Sequence, residues 1–378
     1  MIKIDIKEKK KAPEGEWSTI FDYREDIEKL RKAVKQYSGR KLVVIGNGGS
    51  ITSFRAYRDA LRLTDSSVIV WTMDPDYIAE VRKNFPAKDS VVVIVSKSGE
   101  DIGPIEELLA FPEYETVVVT ENKESALRKM AEKAGWMIID HPHIGGRFSG
   151  GTSSALVPAI IAGMDVEELV AGMRLGYSMR DEAYSLAENL FKSEQSGYIE
   201  LYTSIYASLL SGFEDLFIQL MHESVCKEGK GQTVYVAFGP DSQHHTNERL
   251  FGGRKNICVL FITVENPQAD IRISIPEVFH NVTFKGGKIG DLDGENLKMA
   301  LNAEYLGTKM EADNEMVPNF TISLNEITSK SIGELTAFMH LLAFYSAKIR
   351  GVDPFDQPAV ERSKNITFEI LAEENDDD

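Results

Sequence analysis

The stretch LVVIGNGGS at residues 42–50 decides the fold, because a compact apolar run leads directly into a glycine-rich turn. Continuous β-branched residues of this kind are typical of a strand that is buried on both faces of a parallel sheet. The glycines at 46–49 allow a tight turn into a following helix, whose first N–H groups are then free to face a ligand. The stretch therefore predicts a strand, a turn and a helix in succession.

The same alternation recurs on both sides of a helix-rich stretch at 153–223. It predicts strands at 67–71, 91–95, 116–120, 136–139, 233–238 and 257–262, and helices at 77–85, 104–109, 124–134 and 332–349. Apolar runs separated by amphipathic segments favour parallel sheets covered by helices. We therefore predict an α/β protein with an N-terminal arm and helix (1–38), two α/β subdomains (39–170 and 171–350) and a C-terminal segment (351–378).

Charge and composition narrow the classes of function. The chain has 378 residues and a formal net charge of −17, which disfavours binding to nucleic acid and to anionic membranes. No run approaches the roughly 20 apolar residues of a membrane helix. The charged residues 1–11 lack the apolar core of a signal peptide. We expect a cytoplasmic protein with no membrane partner.

Residues that bind metals are present, but not at ligand spacing. Cys226 and Cys258 are far apart and form no CxxC motif. The pairs His141 with His143 and His244 with His245 lack Cys or carboxylate companions at the spacing of a metal site. We expect neither a metal nor a cofactor.

Hydroxyl side chains follow two of the predicted strands. Ser50 ends the glycine turn after the first strand, and SKSGED at 96–101 follows the strand at 91–95. Ligands of open parallel sheets lie at the carboxyl ends of the strands, so two such turns on neighbouring strands suit a small phosphate monoester. Glycine after a strand is common, and either turn alone is a weak signal. Neither turn has the lysine of a P-loop, which disfavours nucleotide hydrolysis.

A third glycine-rich stretch, GGRFSGGTSS at 145–154, lies between the two alternating regions. Its glycines allow a ligand to approach the backbone, and Arg147 adds a planar cationic group that suits an enediolate, carboxylate or phosphate. Read alone, it is equally consistent with a turn carrying a surface arginine. We interpret it as an anion site because of the two serine-containing turns.

Two further residues suggest proton transfer. Glu223 lies in LMHESV at 220–225, near the end of a predicted helix, where apolar neighbours would disfavour its ionised form and make it a stronger base. His244 follows the predicted strand at 233–238, and a histidine there can exchange a proton near neutral pH. Without a motif, a glutamate near a helix end is usually a solvated surface group.

Taken together, six motifs resemble the glucose-6-phosphate isomerase family, whose subdomains are of the sugar-isomerase (SIS) type. They are GGS (48–50), SKSG (96–99), GGRFS (145–149), ES (223–224), QH (243–244) and FDQP (355–358) with Glu361 and Lys364. They occur in the family's order and span residues 42–364. The resemblance implies two SIS-type three-layer αβα subdomains with parallel sheets, joined by helices, and a C-terminal helical arm.

The resemblance also implies roles for individual residues. Ser50, Ser96 and Ser98 would bind the sugar phosphate; Gly49, Lys97, Asp101 and Gly146 would line the same site; Arg147 would stabilise an enediolate; Glu223 would transfer the proton; and His244, Lys364 and Gln357 would assist ring opening. Four positions depart from the family: Asp101, Ala155, Asp353 and Ala359, of which only Asp101 bears on function. Asp101 stands where a threonine is usual, and its carboxylate would repel a phosphate dianion.

The function implied is the interconversion of glucose 6-phosphate and fructose 6-phosphate by a homodimer, with the histidine supplied by the partner subunit. Two alternatives stay open. A non-catalytic sugar-phosphate sensor would keep the serine turns without needing Glu223 or Lys364. An isomerase of broader specificity, accepting mannose 6-phosphate or an amino sugar phosphate, would differ only in pocket contacts worth about 1–3 kcal/mol.

Overall fold

The computed structural model describes residues 2–6, 8–360, 362, 363, 366, 367, 369 and 370. The strands are β1 Lys3–Asp5, β2 Lys41–Ile45, β3 Ser67–Val70, β4 Ser90–Val95, β5 Glu115–Glu121, β6 Met137–His141, β7 Glu200–Tyr206, β8 Thr233–Phe238, β9 Ile257–Val264, β10 Thr283–Phe284, β11 Gly287–Lys288 and β12 Asn319–Leu324. The helices with assigned bounds are α1 Ile27–Val34, α2 Thr52–Ala60, α3 Pro75–Asn84, α4 Ile102–Leu109, α5 Ala126–Ala134, α6 Ser153–Ile161, α7 Val166–Ser178, α8 Arg180–Gln195, α9 Phe213–Val225, α10 Gln243–Asn247, α11 Leu297–Asn314 and α12 Ser329–Arg350.

The first sheet has the strand order β3-β2-β4-β5-β6, and all of its pairs are parallel. Alternate residues of each strand face opposite layers: Val44 and Val93 join one apolar core, whereas Val43 and Val92 join the other. Both faces of the sheet are therefore covered, which explains the unbroken apolar runs of β2 and β4. The predicted α/β class is confirmed.

The order of the first sheet also fixes where a ligand can bind. The chain runs from β2 outward to β3 and then returns to β4 on the other side of β2. This reversal opens a crevice between β2 and β4 at their carboxyl ends. The expectation that these two strands are neighbours is confirmed, since Ile45 of β2 pairs with Ile94 of β4.

The second sheet has the order β1-β12-β9-β7-β8 and is parallel except for β1. Three of its strands, β1, β7 and β12, were not predicted from the sequence. Strand β7 lies within the stretch predicted to be helix-rich, and the N-terminal arm contributes β1, which pairs antiparallel with β12. The second sheet therefore draws on both ends of the described chain.

Helix α12 packs against α7, α8 and α9. Most of its residues are buried, as are those of the adjoining face of α7. A Cβ atom on Gly333 would lie only 2.0 Å from the carbonyl oxygen of Leu169, so a larger residue would separate α12 from α7. Within the described residues, no helix combines the length and apolar character needed to cross a bilayer.

Candidate active site

Arg147 is the anchor of the candidate site. It lies in the arginine turn (residues 145–149) between β6 and α6, and its side chain is only 3% exposed. Its Nε donates to Ser224 Oγ at 2.9 Å, and its Nη1 lies 3.0 Å from Glu223 Oε2. Burial lowers the pKa of Arg147 and the Glu223 carboxylate raises it, but a guanidinium stays charged at neutral pH in either case.

The arginine turn packs directly against the glycine turn (residues 46–50) that follows β2. A Cβ atom on Gly49 would lie 2.3 Å from the backbone nitrogen of Arg147, and one on Gly146 would lie 3.0 Å from the carbonyl carbon of Gly49. Only glycine allows this backbone contact. The two motifs, about one hundred residues apart in sequence, therefore form one surface at the carboxyl edge of the first sheet.

Glu223 lies in the last turn of α9, and its carboxylate is 27% exposed. The apolar surroundings expected from the sequence are not what the carboxylate contacts. Its Oε2 accepts from Arg147, and its Oε1 accepts from Gln219 Nε2 at 2.8 Å. Gln219 in turn accepts a hydrogen bond from Thr52 Oγ1 at 3.1 Å. The expectation of an apolar environment was wrong. The carboxylate contacts two polar side chains, Gln219 one helical turn away and Arg147 across the site.

A loop at residues 353–357, here called the glutamine loop, covers the other side of the guanidinium. Arg147 Nη2 donates to the carbonyl oxygens of Pro354 and Asp356 at 2.7 and 3.1 Å, and its Nη1 donates to Gln357 Oε1 at 2.8 Å. Lys227, just after α9, holds the same loop through the carbonyl and carboxylate of Asp356. Lys364 and Glu361 of the sequence motif lie outside the described residues.

The serine turn (residues 96–101) follows β4 on the far side of the crevice. Ser96 Oγ is buried and accepts from the backbone nitrogen of Gly99 at 3.2 Å. Ser98 Oγ donates to Asp101 Oδ2 at 3.0 Å. A phosphate entering here would compete with Asp101 for the Ser98 hydroxyl. Asp101, which replaces the family's usual threonine, is therefore hydrogen-bonded to a residue that was predicted to bind the phosphate.

Lys97 forms an ion pair with Glu121. Its Nζ lies 3.6 Å from the Glu121 carboxylate, which also pairs with Lys123 at 2.9 Å and with His143 at 2.8 Å. The cluster therefore places two lysines beside one largely buried carboxylate at the end of β5.

His244 is exposed on the short helix α10 after β8, and its side chain makes no hydrogen bond within the described part of the chain. The fold thus brings Arg147, Glu223 and Gln357 together, with Gly49 and Gly146 beside them. It does not bring His244 into contact with this group in a single chain.

Several residues that shape the site were not predicted. Gln219 lies one turn before Glu223 on the same face of α9, and Lys227 follows the C-terminal end of that helix. His340 on α12 is buried behind the arginine turn, with Nδ1 2.8 Å from the Tyr177 hydroxyl and its ring edge-on to Phe148. Burial lowers the pKa of His340 to about 3, so it is neutral. The apolar sequence of α12 gave no indication that His340 would lie behind the arginine turn.

Known proteins share sequence and fold with this chain. The chain is 28% identical over 371 residues to a protein named probable glucose-6-phosphate isomerase from Haloarcula marismortui, covering 93% of this chain and 83% of that one. It is 26% identical over 375 residues to glucose-6-phosphate isomerase from Acholeplasma laidlawii, covering 92% and 87%. A crystal structure of a glucose-6-phosphate isomerase from Chlamydia trachomatis superposes with a TM-score of 0.78 at 20% identity, covering 92% and 73%. No family model matches the sequence.

The parallel sheets, with the glycine, serine and arginine turns at the carboxyl edge of the first, give the chain the fold of that crystal structure. The chain is also similar, over 92–93% of its length, to proteins named as glucose-6-phosphate isomerases.

Proposed function

We propose that the protein is an aldose–ketose isomerase that interconverts glucose 6-phosphate and fructose 6-phosphate in glycolysis and gluconeogenesis. The observation that carries this proposal is the pair formed by Glu223 and the buried Arg147, at 3.0 Å, beside the two turns on β2 and β4. The names of the relatives support the choice of substrate.

In the proposed reaction, Glu223 removes the proton from C2 of the open-chain aldose. The electron pair of the C–H bond forms the C1–C2 double bond, and the carbonyl oxygen on C1 becomes an enediol oxygen. The C2 hydroxyl gives its proton to the oxygen on C1, and Glu223 returns the carbon-bound proton to C1 as C2 becomes the ketone, so no atom or electron is gained or lost. Arg147 stabilises the negative charge that develops on oxygen during both transfers.

The remaining predicted residues bind and open the sugar. Hydroxyl groups of Ser50, Ser96 and Ser98 hold the phosphate, with Gly49, Gly146, Lys97 and Asp101 lining the site. The Gln357 side chain accepts a hydrogen bond from the Arg147 guanidinium, and from that position it can contact a sugar hydroxyl. His244 and Lys364 exchange the proton of the ring oxygen and the C1 hydroxyl when the ring opens.

We further propose a cytoplasmic homodimer in which His244 serves the site of the partner subunit. Two features support the dimer: His244 is exposed and uncommitted within its own chain, and the segment between β9 and the end of α11 exposes an unusual number of large apolar side chains. These are Ile271, Val278, Phe279, Val282, Phe284, Leu297, Met299, Leu306 and Met310. Symmetric dimers bury such surfaces against a second copy.

A coupled assay with the 6-phosphates of glucose, mannose and fructose, with and without a chelator, tests the function. We expect rapid interconversion of glucose and fructose 6-phosphates that the chelator leaves unchanged. A sugar-phosphate sensor would bind these compounds without turnover, and that result would refute the proposed activity. Comparable rates with mannose 6-phosphate would extend the specificity.

A further inference from the structure

Glu107 is an unusual residue beneath the glycine turn. It lies on α4, it is 1% exposed, and α4 packs on β2 and β4, whose side chains on this face are valine and isoleucine. Among the described residues, no backbone N–H, hydroxyl or cation bonds either oxygen of its carboxyl group. The side-chain amide of Asn47, in the glycine turn, lies against the same helix: a Cβ atom on Gly103, one turn before Glu107, would be 3.1 Å from the amide nitrogen.

The Asn47 amide has two orientations with different consequences. With its nitrogen toward the main chain, it donates to the carbonyl oxygens of Gly46 at 3.1 Å and Trp71 at 3.2 Å. In the reverse orientation the amide oxygen would face those two carbonyl oxygens, an arrangement of acceptors without a donor. The first orientation is therefore favoured, and it turns the amide oxygen toward Glu107.

An amide oxygen facing a carboxyl group needs a proton between them. We propose that Glu107 is a positioning residue: as a neutral acid it donates a hydrogen bond to the Asn47 amide oxygen and so fixes the glycine turn that holds the sugar phosphate. The part played by the turn rests on the proposed function. Asn47 is exposed on its outer side, so it stands between Glu107 and the crevice.

The surroundings of Glu107 favour the neutral form. Burial raises its pKa to about 8, and Glu106 on the same helix reinforces the shift; only an Asn47 amide nitrogen turned toward the carboxyl group would oppose it. On α3, Arg82 lines the same cleft, but its guanidinium is bound to Ala110 O at 2.6 Å and to the Glu113 carboxylate. Asp101 at the start of α4 adds a further negative charge.

Ionisation of Glu107 has a defined effect on the turn. A carboxylate cannot donate to Asn47, and it attracts the amide nitrogen instead. Asn47 then loses its hydrogen bonds to Gly46 and Trp71, which tie the ends of β2 and β3. We expect the glycine turn to loosen as the pH rises above about 8. The substrate phosphate, with a second pKa near 6, is already a dianion there and does not contribute.

The experiment measures kcat and KM for fructose 6-phosphate from pH 6.5 to 9.5 in wild type, Glu107→Gln and Glu106→Gln. Loss of one hydrogen bond corresponds to about a 2- to 13-fold rise in KM, which we expect in wild type across pH 8. Glu107→Gln should have a flat KM, because its amide donates to Asn47 at every pH. Glu106→Gln keeps the wild-type profile. A flat wild-type KM, or the same rise in Glu107→Gln, would overturn the proposal.

The pH dependence of thermal unfolding reports the protonation state of Glu107 without relying on enzyme activity. A folded-state pKa of about 8 exceeds the unfolded value, so wild type loses stability relative to Glu107→Gln as the pH rises from about 4.5 to about 8, and the difference is constant above that. A difference in Tm that does not change with pH would show that Glu107 is ionised and would refute the proposal. If no sugar phosphate is turned over, the Kd for inorganic phosphate replaces KM, and only the proposed function fails.

Discussion

The two sheets of the molecule have similar parallel arrangements but contribute differently to the candidate site. The first sheet supplies the glycine, serine and arginine turns, which contact one another within a single chain. The second contributes α9, which carries Glu223 inward, and α10, which carries His244 outward. The pair proposed to transfer the proton is thus assembled in one chain, whereas the histidine proposed to open the ring lies apart from it. Mutations can test these two proposed parts of the chemistry separately.

The largest expected effect is on proton transfer. Glu223→Gln keeps a hydrogen-bonding side chain beside Arg147 and Gln219 but removes the base, so kcat should fall by about 10²- to 10⁴-fold with little change in substrate affinity. Wild type in deuterated water should place deuterium on the transferred carbon, because a carboxyl proton exchanges with solvent. Activity that survives the substitution, or complete retention of the original hydrogen, would contradict the role of Glu223.

The next largest effect is expected when His244 of one subunit completes the site of the other. Inactive Glu223→Gln and His244→Ala dimers, mixed under conditions of subunit exchange, should recover activity, because each hybrid contains one site with both wild-type groups. Random exchange of equal amounts gives about a quarter of wild-type sites. His245→Ala, a neighbour on the same exposed helix, serves as the control partner. A monomeric mass with full activity would show that His244 does not act across a subunit interface.

A smaller effect is expected from the serine turn, which belongs wholly to the first sheet. Ser96→Ala removes a hydrogen bond to a charged phosphate and should raise KM by about 10- to 150-fold, with kcat less affected. Ser196→Ala, an exposed serine after α8, is the matched control. An unchanged KM would show that the phosphate does not bind at this turn.

The first sheet was predictable because its strands are continuous β-branched runs, whose burial on both faces is a local property of the sequence. Strand β7 was missed because Tyr202, Thr203 and Ser204 give it a polar composition, although they are buried in the sheet. Strand β1 is charged and forms only through its pairing with β12, more than 300 residues away. The turns around Arg147 were found as motifs, whereas Gln219, Lys227 and Glu107 act through contacts that only the tertiary structure creates.

The smallest effect concerns Asp101, where the first sheet places a carboxylate beside its own phosphate turn. Asp101 precedes α4 at the N-cap position, where threonine is also accepted. If the carboxylate repels the phosphate and holds the Ser98 hydroxyl, Asp101→Thr should lower KM by about 2- to 13-fold for one hydrogen bond regained, and Asp101→Asn, whose amide oxygen can still accept from Ser98, should lower it less. If Asp101 instead orients Ser98 toward the ligand, both substitutions should raise KM. Measuring KM for fructose 6-phosphate in the two variants decides between these roles, because the asparagine removes the charge while keeping the shape of the side chain.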